Sequence, residues 1–146
     1  WGSLHRQYPT VDITLDRLRC GGELRSTLAK RLLPLYEERF GAQYGPASSL
    51  EFRDLFVAKY DADGQRGLDG HVDASMLSMV LQLSAAASFE GGGTRFEHGR
   101  RGGLVCRPEQ GGAVLFLGKI FHAAEPITRG RRYVLVALID RTEVVA

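Results

Sequence analysis

The sequence predicts a mainly β domain preceded by one helical segment. Three observations lead there. Glycine makes up 18 of the 146 residues, well above the usual share of ~7%, so many tight turns are needed. Beyond residue 49 the apolar residues fall into short runs, several of alternating type, bounded by Gly or Pro, as in half-buried strands. No strand–helix–strand rhythm, internal repeat or heptad pattern accompanies them. Several short strands at close intervals fit a sandwich, barrel or jelly roll.

Taken in order, residues 11–15 alternate apolar and polar and read as a short strand. Gly21-Gly22 then breaks the chain. Over residues 23–40, Leu24, Leu28, Leu32, Leu35 and Tyr36 recur at helical spacing with Arg and Lys between them. Glu23 suits the helix start, where negative charge is favoured, and Gly41 is a natural stop. Pro34 inside the pattern predicts a kink or two short helices. Strand signals follow at residues 55–60, 76–83, 104–107, 113–117, 120–123 and 133–139, with glycine-rich turns at 91–93, 102–103 and 111–112. Residues 1–48 thus read as a helical support and 49–146 as the β core of one domain.

Composition narrows the partners. Apolar residues are 44% and charged residues 25%, near globular averages, so a packed core is expected. The net charge of +2 gives no reason to expect a nucleic-acid partner or a membrane surface. No apolar run approaches the ~20 residues of a membrane span. The sequence contains no Asn, hence no N-glycosylation sequon. Cys20 and Cys106 match no zinc or redox spacing, and a disulfide between them is neither demanded nor barred. The compartment stays open.

Four histidines are present: His5, His71, His98 and His122. His71 and Asp73 are the informative pair. In extended backbone, residues two apart point the same way, ~6–7 Å from each other. An imidazole and a carboxylate aimed at one point make two-thirds of a metal site. Alone the pair means little, since about one chain in five of this composition carries it by chance. His122 sits in a short strand ending at Pro126, and an antiparallel barrel brings such distant strands face to face. Two histidines and one carboxylate on one face of a metal leave three positions open and suit non-haem Fe(II). Arg132 lies ten residues further, across a turn containing Pro126 and Gly130, and opens the strand at 133–139. Inward, it would share a face with Val134, Val136 and Leu138, and a buried arginine requires an anionic partner. A ligand carboxylate held by a bidentate fork is the natural candidate. Outward, it would join Arg129 and Arg131 in a basic turn.

Residues 56–140 resemble the catalytic core of Fe(II)- and 2-oxoglutarate-dependent oxygenases, in the prolyl 4-hydroxylase and lysyl hydroxylase branch. The matching text is Phe56-Val57-Ala58-Lys59-Tyr60, His71-Val72-Asp73-Ala74-Ser75, Phe89-Glu90-Gly91-Gly92-Gly93-Thr94-Arg95-Phe96, Arg107-Pro108 through Gly111-Gly112, His122, and Thr128-Arg129-Gly130-Arg131-Arg132-Tyr133. The glycine run before Arg-Phe, together with His-x-Asp-Ala-Ser, is most similar to lysyl hydroxylases. The resemblance implies a double-stranded β-helix, the jelly-roll form of this superfamily. It implies Fe(II) held by His71, Asp73 and His122, and 2-oxoglutarate held through its distal carboxylate by Arg132, with Tyr60 and Thr94 also contacting it. It further implies oxidative decarboxylation to succinate, dioxygen as oxidant and ascorbate as reductant. The substrate class it implies is a prolyl or lysyl residue of a peptide or protein, or a related amino acid.

The chain departs from other branches. Val134 stands where some 2-oxoglutarate oxygenases carry Ser or Thr, and Leu138 where nucleic-acid demethylases carry a second Arg. Both departures favour the hydroxylase branch. Two other readings of the residues stand beside this one: a non-catalytic jelly roll that binds a ligand or peptide, and a cupin-like metal enzyme without 2-oxoglutarate. The polar, glycine-rich residues 61–70 are expected to form a mobile lid. Arg95, Arg100, Arg101 and Arg107 read as a solvated turn region, or as a patch for an acidic polypeptide.

Overall fold

The computed structural model describes residues 1–2, 9–97 and 103–142. His5, His98, Arg100 and Arg101 lie outside the described residues. In chain order the elements are β1 (Val11–Thr14), α1 (Gly21–Tyr44), β2 (Leu50–Asp61), β3 (Leu68–His71), β4 (Leu77–Gln82), β5 (Phe89–Gly91) and β6 (Thr94–Phe96), then β7 (Leu104–Cys106), β8 (Ala113–Leu117), β9 (His122–Ala124) and β10 (Ile127–Arg141).

The strands form two antiparallel sheets. The larger runs β1-β2-β10-β4-β8, with β5 paired to the start of β10, and the smaller runs β3-β9-β6-β7. Neighbours in space are distant in sequence, as in a jelly roll. Alternation along β10 divides the core in two, because successive side chains of a strand leave opposite faces. Leu135, Ala137 and Ile139 pack with Leu55, Leu77 and Met79 against Leu32, Leu33 and Tyr36 of α1. Val134 joins Phe56, Ala58 and Tyr60 on the side facing the smaller sheet. The helix therefore covers the outer face of the large sheet, and the space between the sheets is left for a cavity. β1 pairs with β2 in the register Val11↔Lys59 to Thr14↔Phe56, so the N-terminal part supplies a strand as well as the helix.

Local signals misjudged the helix at three points. It starts at Gly21 rather than after the glycine pair, because a side chain there would collide with the backbone: an added Cβ would lie 1.9 Å from Leu15 O. It runs unbroken through Pro34, so there are not two short helices. Leu32, Leu33 and Tyr36 flank the proline and are buried, and their packing outweighs the local cost of the ring. It also continues past Gly41 to Tyr44, where Gly45 at φ 89° donates its N–H to Gly41 O and ends it. The rings of Tyr36, Phe40 and Tyr44 carry the packed stripe to that point. Leu24 and Leu35, expected inside, are 37% and 44% exposed, and Leu33 takes the buried place.

The last strand begins at Ile127, six residues before its expected start. Gly130 lies within it rather than in a turn, at φ 74°, just after the register against β5 shifts between Ile127 and Arg129. An added Cβ there would lie 2.1 Å from Ser88 O, so only glycine lets the two strands approach. Residues 61–70, expected as a mobile lid, are hydrogen-bonded to the body. Ala62 N–H donates to Gly130 O, and Ile127 N–H donates to Arg66 O. Gln65 accepts from Val11 N–H and donates to Pro9 O, and Arg131 pairs with Asp61. Both cysteines are free thiols.

Candidate metal and diacid site

β3 and β9 are adjacent antiparallel strands with His71 opposite His122. The connection after β3 then turns Asp73 toward the same point, pinned by its N–H to Gly118 O at 2.9 Å. His71 Nε2 lies 3.5 Å from Asp73 Oδ1, and His122 Nε2 lies 3.7 Å from Asp73 Oδ2. One ligand atom from each of the three residues falls within 4.8 Å of the others. Both imidazoles are oriented from behind. His71 Nδ1 donates to Asp69 O at 2.8 Å, and His122 Nδ1 donates to Ile120 O at 2.9 Å. A carbonyl only accepts, so Nδ1 carries the hydrogen and Nε2 presents its lone pair inward, as metal-ligating histidines require. Phe116 stands edge-on to the His122 ring at 4.6 Å and Phe96 lies beyond it.

The charges suit a cation. Burial works to raise the Asp73 carboxyl, but hydrogen bonds from His71 and Ser78 and the charges of both imidazoles hold it below the ordinary carboxylate range. Burial works against protonated His71, yet the Asp73 hydrogen bond, the Asp69 carbonyl and the Asp73 charge leave it raised. His122 is lowered chiefly by burial, against the Ile120 carbonyl and Asp73, with His71 adding repulsion. Two imidazole nitrogens and one carboxylate oxygen on a single face are the donor set of non-haem Fe(II), and the residues present fit that ion.

The same cavity, of about 300 Å³, is also lined by Arg132, Tyr60 and Thr94. Arg132 is 2% exposed, so it points inward with Val134, Val136 and Leu138, all of which line the cavity. Its Nε donates to Gln82 Oε1 at 3.0 Å and its Nη1 to Gly93 O at 3.4 Å. Both acceptors are uncharged, and among the described residues no carboxylate is paired with it. Burial lowers the guanidinium's pKa, with Tyr60 opposing and Arg107 adding to the effect. Tyr60 is opposite Arg132 in the β2–β10 register, and the guanidinium carbon lies 5.8 Å from its ring centre. Burial, the largest effect, pushes the Tyr60 hydroxyl up to about 12, so it remains a donor at working pH. Thr94 is buried on β6 between Cys106 and Ala124.

Ser78, Gln82 and the glycine run went unassigned from the sequence. Gly91, Gly92 and Gly93 all have positive φ (78°, 68° and 118°), and an added Cβ on Gly92 would press on Arg132 Cδ at 3.1 Å. Gly92 thus packs against the arginine's stem and Gly93 O accepts from its Nη1, which the mere count of glycines does not reveal. Of the four arginines read as a solvated turn region or an acidic-polypeptide patch, Arg95 pairs with Glu97 and Glu125 at 3.0 and 2.6 Å, Arg107 Nε donates to Gly92 O, and Arg100 and Arg101 lie outside the described residues.

No family model matches the chain. It is 32% identical over 139 residues to procollagen-lysine,2-oxoglutarate 5-dioxygenase 1 of Rattus norvegicus, an alignment that covers 93% of this chain and 18% of that protein. The chain thus spans about a fifth of the length of the curated relatives it matches. Among solved structures it is similar to an oxidoreductase of the 2OG-Fe(II) oxygenase family from Burkholderia pseudomallei, with a TM-score of 0.70 at 20% identity, covering 86% of this chain and 60% of that one. It is also similar to the viral collagen prolyl hydroxylase of Paramecium bursaria Chlorella virus-1, with a TM-score of 0.66 at 16% identity, covering 93% and 80%. The fold is the jelly roll of the 2OG-Fe(II) oxygenases. By sequence and fold together the chain resembles that superfamily in its prolyl 4-hydroxylase and lysyl hydroxylase branch.

Proposed function

We propose that the chain is a 2-oxoglutarate-dependent dioxygenase domain that hydroxylates a C–H bond. The observation that carries this is the placement of the His71, Asp73 and His122 donors and the unbalanced Arg132 guanidinium on one cavity. In this reading His71, Asp73 and His122 hold Fe(II). The ion would supply dioxygen activation coupled to conversion of 2-oxoglutarate into succinate and carbon dioxide. Arg132 neutralises the distal carboxylate of the cosubstrate, which balances a desolvated charge that no carboxylate among the described residues pairs. Tyr60 and Thr94 add hydroxyl donors beside it. Phe56, Val80, Val136 and Leu138 form apolar walls that exclude water from the site. Ascorbate serves as reductant for iron oxidised in uncoupled turnover.

The likeness to lysyl and prolyl hydroxylases supports a prolyl or lysyl residue of a peptide or protein, or a related amino acid, as substrate. The test is Fe(II)-dependent succinate release from 2-oxoglutarate, run over peptide and amino-acid substrates with product masses measured. Release is expected for the natural chain and should vanish in His71→Ala. Undiminished turnover in that variant refutes the assignment.

A further inference from the structure

Asp73 offers two oxygens, yet the site needs one. Ser78, on β4 and fully buried, places its Oγ 2.6 Å from Asp73 Oδ2 and 2.9 Å from Ser75 Oγ. A hydroxyl has a single proton to give. The ionised carboxylate can only accept, so the Ser78 proton goes to Asp73. Ser75 must then donate to Ser78 Oγ, and the chain acquires a direction: Ser75 to Ser78 to Asp73. From the far side of the sheet the Tyr36 hydroxyl of α1 donates to Ser78 O at 2.5 Å, which fixes this residue's backbone.

We infer that Ser78 is a positioning residue for the metal carboxylate, and that Ser75 acts through it. The inference rests on the metal-centre reading above. The Ser78 bond takes one acceptor position of Oδ2 and would bias the carboxylate toward offering the ion Oδ1 alone. A two-oxygen grip would occupy one of the three positions that a diacid chelate and dioxygen need. The Asp-x-Ser-x-x-Ser spacing at 73, 75 and 78 is the sequence trace of this device.

The experiment measures Co(II) binding to the full chain by calorimetry, with the Tm of each metal-free protein as a folding control. Ser78→Ala should weaken Co(II) binding about 10- to 100-fold, the usual effect of removing a partner behind a metal ligand. Ser75→Ala should weaken it less. The double variant should match Ser78→Ala within about twofold, because Ser75 has no path to the carboxylate except Ser78. Ser78→Thr, which keeps the hydroxyl, should bind within about threefold of the natural chain. Natural affinity in Ser78→Ala, or independent multiplicative losses from the two serines, overturns the inference. Failure of the natural chain to bind Co(II) would instead overturn the metal-centre reading itself.

Discussion

Replacing Arg132 by methionine separates ligand binding from folding. The substitution keeps most of the side chain's volume and removes the charge. In the natural protein the guanidinium is 2% exposed and bonded only to Gln82 and the Gly93 carbonyl. Losing those two charge-assisted bonds costs about 3–6 kcal/mol. Removing a desolvated cation that nothing balances returns a comparable amount. The two largely cancel, so the ligand-free protein should melt within about 4 °C of the natural one. Binding of 2-oxoglutarate should behave differently. A carboxylate held by two charge-assisted bonds at about 1.5–3 kcal/mol each loses at least about 3 kcal/mol, or about 150-fold in Kd. The assay is anaerobic calorimetry of 2-oxoglutarate against the Mn(II)-loaded protein, beside thermal denaturation of the metal-free form. A Kd within threefold of the natural value, with Mn(II) affinity intact, would show that Arg132 does not anchor the diacid. A fall in Tm of more than about 10 °C would show that the arginine is chiefly structural.

Three further outcomes follow from the geometry. Tyr60→Phe removes one neutral donor beside Arg132, so the 2-oxoglutarate Kd should rise about five- to tenfold, with equal ratios at pH 7 and pH 9 because the natural hydroxyl stays protonated up to about 12; a ratio that shrinks at pH 9 would refute this. Gly118→Ala places a Cβ 2.0 Å from Ser75 O and displaces the segment that carries Asp73, so a loss of about 2 kcal/mol or more and a fall of about 4–8 °C in Tm are expected; an unchanged Tm would mean the segment yields freely. Asp61 is held below the carboxylate range first by the Asp63 N–H and then by Arg131, so its stabilisation is present above the ordinary carboxylate pKa and fades as pH falls through the lowered value. The Tm gap between the natural chain and Asp61→Asn should therefore be present at neutral pH and close as pH falls through the lowered pKa; a gap that widens on acidification would reverse the assigned sign.

Properties that depend on neighbours in sequence were legible without coordinates. The two-residue spacing predicts that His71 and Asp73 face one way, although Asp73 lies past the end of β3 and is held there by its N–H to Gly118 O, and alternation assigns Val134, Val136 and Leu138 to one side of β10 and Leu135, Ala137 and Ile139 to the other. Residue types could show that an inward Arg132 would require an anion, but that it points inward, with no carboxylate paired to it among the described residues, came from the structure. The tertiary structure decided whatever depends on register between distant strands. His122 meets His71 because β9 pairs with β3, and Gln82 reaches Arg132 because β4 lies beside β10; no spacing encodes either pairing. Packing also overruled local punctuation. Pro34 and Gly41 would each end an isolated helix, but the buried stripe of Leu32, Leu33 and Tyr36 and the ring contacts beyond hold it to Tyr44. Residues 61–70 have the composition of a free loop, yet their backbone groups find partners on β10 and the Gln65 side chain finds one on β1. Local chemistry fixes which conformations a segment can adopt cheaply, and long-range burial and hydrogen bonding select among them.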